Sequence, residues 1–165
     1  MLALGIDPGT AICGYGLVEM KGNRLYAVDF GVITTSPELR AEARLEIIFD
    51  GVNNLIKKYQ PSIMGVEQLF FNKNVTTAIA VGQARGVVLL AAAQNNIPCC
   101  EFTPLQVKQA VVGYGKATKQ QVIYMAQHIL NIPYRPQPDD AADALAIAIC
   151  TLHTSNINKL WSRMV

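Results

Sequence analysis

A chain of 165 residues has room for one domain with a sizeable core and is too short for two ordinary ones. Hydrophobic residues make up 51% and charged residues 16%, which excludes a disordered chain and favours a well-buried α/β or helical interior. The formal net charge of +2 names no partner, yet it is unevenly spread. Residues 1–67 carry a net −2 and residues 139–165 a net −1. Between them, Lys73, Arg85, Lys108, Lys116, Lys119 and Arg135 face Glu101 alone, a net +5. A basic middle of this kind either attracts phosphates or is a solvated face of spaced lysines.

Leu2, Leu4 and Ile6 alternate with Ala3, Gly5 and Asp7, and Pro8-Gly9 then turns the chain into a second run, Ile12 to Met20. Lys21-Gly22-Asn23 turns it again into Arg24 to Thr34, so the opening third reads as an antiparallel meander of three strands. Ser36-Pro37 offers a cap and first turn for a helix whose apolar stripe runs from Leu45 to Tyr59, with Pro61 ending it. Ile63 to Glu67 follows as a buried strand, returning through a crossover and hence parallel to an earlier one.

A helix over about Val75 to Gln94 is rich in small residues, which suits packing on a sheet or a dimer contact. A fifth strand, Cys99 to Phe102, precedes two capping boxes, Thr103-Pro104-Leu105-Gln106 and Thr118-Lys119-Gln120-Gln121, each opening a helix. Gly113-Tyr114-Gly115-Lys116 between those helices reads as a mobile surface loop. A last, buried helix begins near Pro138-Asp139-Asp140 and runs to about Leu152. The order fits a mixed five-stranded sheet, three antiparallel strands and then parallel additions, flanked by helices.

Cys13, Cys99, Cys100 and Cys150 lack zinc-site spacing and read as buried reduced thiols. Asp7 breaks any apolar leader, and the apolar stretch Ala78 to Ala93 is interrupted by Gln83 and Arg85, so neither export nor a membrane span is expected. These features together point to the cytoplasm.

Chemistry enters through acids in apolar surroundings. Asp7 and Glu67 each close a strand, at the ends where open α/β sheets form their functional crevice. Asp140 and Asp143 share a helix face. Acids in a first turn complement the helix dipole, which accounts for Asp139 as an N-cap. Asp143 stands a full turn in, before the apolar run to Cys150, and calls for a partner or a metal. Four convergent carboxylates without Cys or His suit Mg²⁺ or Mn²⁺, and two such ions roughly 4 Å apart can activate a water and stabilise a leaving oxygen in phosphodiester hydrolysis. Lys119, in a first helical turn, opposes the dipole unless an anion binds there. Phe70 and Phe71, directly after Glu67-Gln68-Leu69, are either core or a platform for an unpaired base. His128 and His153 read as ordinary core or surface residues.

Gly5-Ile6-Asp7-Pro8-Gly9, Gly65-Val66-Glu67-Gln68, Gly82-Gln83-Ala84-Arg85-Gly86, Val107-Lys108-Gln109 and Asp140-Ala141-Ala142-Asp143-Ala144-Leu145-Ala146 resemble the RuvC family of bacterial crossover junction endodeoxyribonucleases. The resemblance spans residue 1 to about 153. It implies an RNase H-like fold over residues 1–154, with 155–165 as a tail for which disorder is an open option. It also implies a homodimer that resolves four-way Holliday junctions in recombination and repair by paired symmetric nicks, with a mild sequence preference. The cofactor implied is Mg²⁺, two per active site, with Mn²⁺ as a substitute, and the partners are junction DNA and the RuvA and RuvB branch-migration complex, with no membrane. By position, Asp7, Glu67, Asp140 and Asp143 resemble the family's metal-binding catalytic acids, with Asp139 as the alternative to Asp140. Lys108 and Lys119 resemble lysines near the scissile phosphate, and Phe70 an aromatic that engages the junction. Lys116 and Arg85 complete the set expected to bind DNA. Asp7-Pro8-Gly9-Thr10 also resembles the phosphate turn of sugar kinases and actin-like ATPases, but those clamp ATP between two such domains and this chain has one. A binding module without catalysis leaves the four acids without a purpose.

Overall fold

The computed structural model describes residues 1–68 and 75–161. Strands β1 (Leu2–Asp7), β2 (Ile12–Lys21) and β3 (Arg24–Thr34) form the predicted meander. Helix α1 (Ala41–Tyr59) crosses over to β4 (Ile63–Glu67), which pairs parallel with β1. Helix α2 (Val75–Gln94) leads to β5 (Cys99–Phe102), parallel to β4, and α3 (Pro104–Val112), α4 (Lys119–Ile129) and α5 (Asp139–Trp161) complete the chain. The sheet order is β3-β2-β1-β4-β5.

Strand alternation divides the core in two. Leu4, Ile6, Leu17, Met64 and Val66 face α1 and α2, meeting Ile48, Val52, Ile56, Ala84 and Val88. Ala3, Val18, Ile63 and Phe102 face the other way, onto Val107 of α3, Val122 and Ala126 of α4, and the apolar side of α5. Burial of these side chains supplies the driving force, at roughly 25 cal/mol per Å² of apolar surface.

What brings α5 so near the strands is a row of glycines. A Cβ at Gly5 would lie 2.1 Å from the Ala144 carbonyl oxygen, one at Gly14 2.1 Å from that of Asp140, and one at Gly16 2.6 Å from the Leu145 amide nitrogen. Any side chain there would lift the helix and the acids it carries. Both capping boxes form as read: Thr103 accepts from the Gln106 amide and Thr118 from that of Gln121, while each glutamine returns a bond to its cap residue.

Four expectations are corrected. Helix α1 begins at Ala41, not at Ser36-Pro37; the Ser36 carbonyl accepts from the Leu39 amide, so that pair makes a separate turn ahead of the helix. Helix α5 continues to Trp161, past the predicted end near Leu152, and no proline or glycine stands there to stop it. Asp139 is not an N-cap but the first helical residue, and Pro138 offers its carbonyl to the amides of Ala141 and Ala142. The four thiols are free, but Cys13 and Cys150 alone are buried; Cys99 is exposed and Cys100 intermediate, because β5 is an edge strand. No helix among the described residues is long and apolar enough to cross a membrane.

Candidate active site

Ile6 pairs with Val66 across the parallel β1–β4 ladder, so the next residues, Asp7 and Glu67, end their strands side by side. Alternation turns both toward the face covered by α5. Asp7 also pairs with Gly14, the residue against which the Asp140 carbonyl rests, which sets the start of α5 over the strand ends. One turn on, Asp143 joins Glu67, Lys108 and Lys119 around a cavity of about 160 Å³ floored by Val107, Ala146 and Ile147. Four acids from three elements thus meet at one end of the sheet.

Their titration records the crowding. Burial, reinforced by the charges of Glu67, Asp143 and Asp140, pushes the Asp7 carboxyl up to about 7. Burial and then Asp143 raise Glu67, with Lys119 and Lys108 pulling the other way. Asp143 is also raised by burial, even though Lys119 Nζ lies 2.8 Å from its Oδ2 and lowers it. Burial pulls the Lys119 ammonium down, but its bond to Asp143 and the fields of Asp143, Asp139 and Asp140 outweigh that and leave it raised. Burial, with Asp7 and Asp140 adding to it, pushes the Cys13 thiol up to about 12, so it offers no nucleophile.

Carboxylates displaced upward in this way are relieved either by a proton or by positive charge placed at their oxygens. Every donor is a carboxylate oxygen, the hard ligand that fits Mg²⁺ or Mn²⁺ and not zinc. Among the described residues no three acids close on a common point as a finished metal shell. Lys119 supplies part of the missing charge. The residues therefore fit a divalent cation through charge and donor type.

Lys108, Lys119 and the four acids are brought together. Asp139 is turned elsewhere: Arg135 Nη2 lies 3.0 Å from its Oδ1 and Lys119 Nζ 3.8 Å from its Oδ2, and Asp140, not Asp139, bears on Asp7. Lys116 is exposed in the α3–α4 turn. Arg85 is not brought into the cluster; it pairs with Glu101, which stands opposite Val66 on the sheet face of α1 and α2. Phe70 lies outside the described residues. Arg135 enters the sequence reading only as part of the basic middle; it reaches Asp139 from the irregular segment before α5, with Pro136 and Pro138 between them, so no helical spacing announces the pair.

Fold and site together define a class: an RNase H-like mixed sheet with acids at the carboxyl ends of β1 and β4 and lysines facing them. Residues 3–151 match the family described as Crossover junction endodeoxyribonuclease RuvC. Relatives of that description include one from Desulforamulus reducens, 56% identical over 150 residues covering 91% of this chain and 92% of the relative. Another, from Desulfitobacterium hafniense, is 57% identical over 157 residues, 95% of each chain. The structure of T. thermophilus RuvC in complex with Holliday junction substrate superimposes with a TM-score of 0.88 at 33% identity, covering 95% of this chain and 96% of the other. The chain belongs to the RuvC family of crossover junction endodeoxyribonucleases. The kinase-like reading of the Asp7-Pro8-Gly9-Thr10 turn falls with that membership.

Proposed function

We propose that this chain resolves four-way DNA junctions by paired symmetric nicks, in recombination and repair, and that Asp7, Glu67, Asp140 and Asp143 hold two Mg²⁺ per site, with Mn²⁺ as a substitute. The observation that carries the reading is the meeting of Asp7 and Glu67, from parallel strand ends, with Asp140 and Asp143 of α5 and with Lys108 and Lys119. When bound, the ions supply Lewis-acid polarisation of a phosphate and a water of lowered pKa.

The chain's own residues do the rest. Asp7, most buried and acted on by all three other acids, is the hub of the ligand set. Asp140 is chosen over Asp139 because it alone of the two bears on Asp7. Lys119 and Lys108 present ammonium groups at the mouth of the cavity, where they hold the nonbridging oxygens of the scissile phosphate. Thr118 and Gln121, through their capping box, fix the helical turn that carries Lys119. Lys116 contributes to the field that draws in the backbone. Phe70 engages an unpaired base.

Paired nicks call for two copies of a single-site chain. The outward stripe of α2, where Ile79 and Leu90 are exposed and Gly86 leaves open space, supports a homodimer through that helix. RuvA and RuvB partners and a cytoplasmic location belong to the same reading.

A supercoiled plasmid extruding a cruciform tests it, compared with the same plasmid relaxed, in Mg²⁺. Linear product from paired nicks, formed only on the cruciform, is the expected outcome. Equal cutting of relaxed DNA, or cutting undiminished in EDTA, would overturn the reading.

A further inference from the structure

Asp139 neither caps α5 nor bears on Asp7, yet its two oxygens are both engaged by cations. Oδ1 takes Arg135 at 3.0 Å, and Oδ2 faces Lys119 Nζ at 3.8 Å. The same ammonium lies 2.8 Å from Oδ2 of Asp143. Asp139 and Asp143 are four residues apart, neighbours on one helix face whose like charges repel. Lys119 straddles the pair.

We infer that Asp139 is a positioning residue: it receives the Lys119 ammonium when Asp143 turns to a divalent cation, and keeps that ammonium beside the phosphate. The inference rests on the proposed cation-holding role of Asp143. An ammonium hydrogen-bonded to Asp143 competes directly with any cation for that carboxylate, and releasing it into solvent forfeits the pair. With Oδ2 of Asp139 already beside Nζ, the release becomes a short transfer between two carboxylates. Arg135 makes the transfer possible by holding Oδ1, which leaves Oδ2 aimed at Lys119. Asp140 adds its field at Lys119, but the ammonium's ion pairs are with Asp139 and Asp143, and Asp140 bears on Asp7 as well.

The test is Mn²⁺ binding by titration calorimetry, on the intact protein without DNA, for wild type, Asp139→Asn, Lys119→Met and the double variant, with folding checked by circular dichroism. Lys119→Met is expected to tighten Mn²⁺ by removing the competing ammonium. Asp139→Asn is expected to weaken it roughly three- to fivefold in the wild-type background, the scale of one partly exposed ion pair. In the Lys119→Met background the same change should cost less than about 1.5-fold, since Asp139 acts through Lys119. An equal loss in both backgrounds would make Asp139 merely part of the acidic field and overturn the inference, as would no loss in the wild-type background. A wild-type protein that takes up no Mn²⁺ would instead overturn the metal reading, and the inference with it.

Discussion

Asp7 and Glu67 end adjacent parallel strands one residue beyond the Ile6–Val66 pair, and both turn to the face that α5 covers. Neither acid is remote from water by accident of packing: the ladder places them together, and the glycines under α5 bring Asp140 and Asp143 down onto them. The cost of gathering these charges is built into the protein before any substrate arrives.

That cost has a pH signature. The Asp7 carboxyl sits at about 7 in the folded chain against 3.8 for an ordinary aspartate. Because the folded value is the higher one, the unfolded chain loses its proton first, and metal-free stability falls as pH rises from about 4 to about 7. The displacement corresponds to roughly 4 kcal/mol. In EDTA at pH 8, Asp7→Asn should melt several degrees above wild type, and the gap should close near pH 4. Thermal melts across that range check it, and Mg²⁺ should restore the wild-type protein at pH 8.

Gly14 carries the next expectation. A Cβ there would lie 2.1 Å from the Asp140 carbonyl oxygen, a backbone atom that cannot rotate away. Gly14→Ala should therefore cost on the order of 1–3 kcal/mol and displace Asp140, slowing cutting along with the loss of stability. Gly86→Ala, whose Cβ meets no atom of its own chain, should instead raise the melting temperature modestly through helix propensity at protein concentrations low enough to keep the chain monomeric. Urea melts of the two variants beside wild type give the comparison.

Lys119 is assigned to the phosphate. Lys119→Ala should slow junction cleavage and reduce the slope of log affinity against log salt by about 1. Binding isotherms at several salt concentrations, with single-turnover cleavage rates, measure both; an unchanged slope would return this lysine to a purely intramolecular role with Asp143.

Much of this was legible in the chain because its signals are local. The alternation of Leu2 to Asp7, the two Thr-to-Gln capping boxes and the Pro-Gly and Gly-Asn turns each act within a few residues. Acids ending two apolar strands stood out for the same reason. What escaped depends on distant packing. Gly14 and Gly16 are unremarkable in sequence until α5 lies on them. Charge counting grouped Arg85 with Lys108 and Lys119, but a count carries no information about which sheet face a residue occupies, and Glu101 claims it on the other side. Asp139 reads as a dipole-complementing cap, and only the packing of α4 and of the segment before α5 reveals that Lys119 and Arg135 share it. At α1, Ser36-Pro37 imitates a helix start because turns and first helical turns use the same residues.

In the proposed function the four acids work together as the cation-holding machinery of a junction-cutting nuclease. Its most direct test follows binding and cutting of one synthetic four-way junction by wild type and Asp7→Asn, with Mg²⁺ and with EDTA. Asp7→Asn should bind the junction nearly as tightly as wild type but cut it in neither condition, and wild type should cut only with Mg²⁺. Cleavage by Asp7→Asn at the wild-type rate would contradict that function.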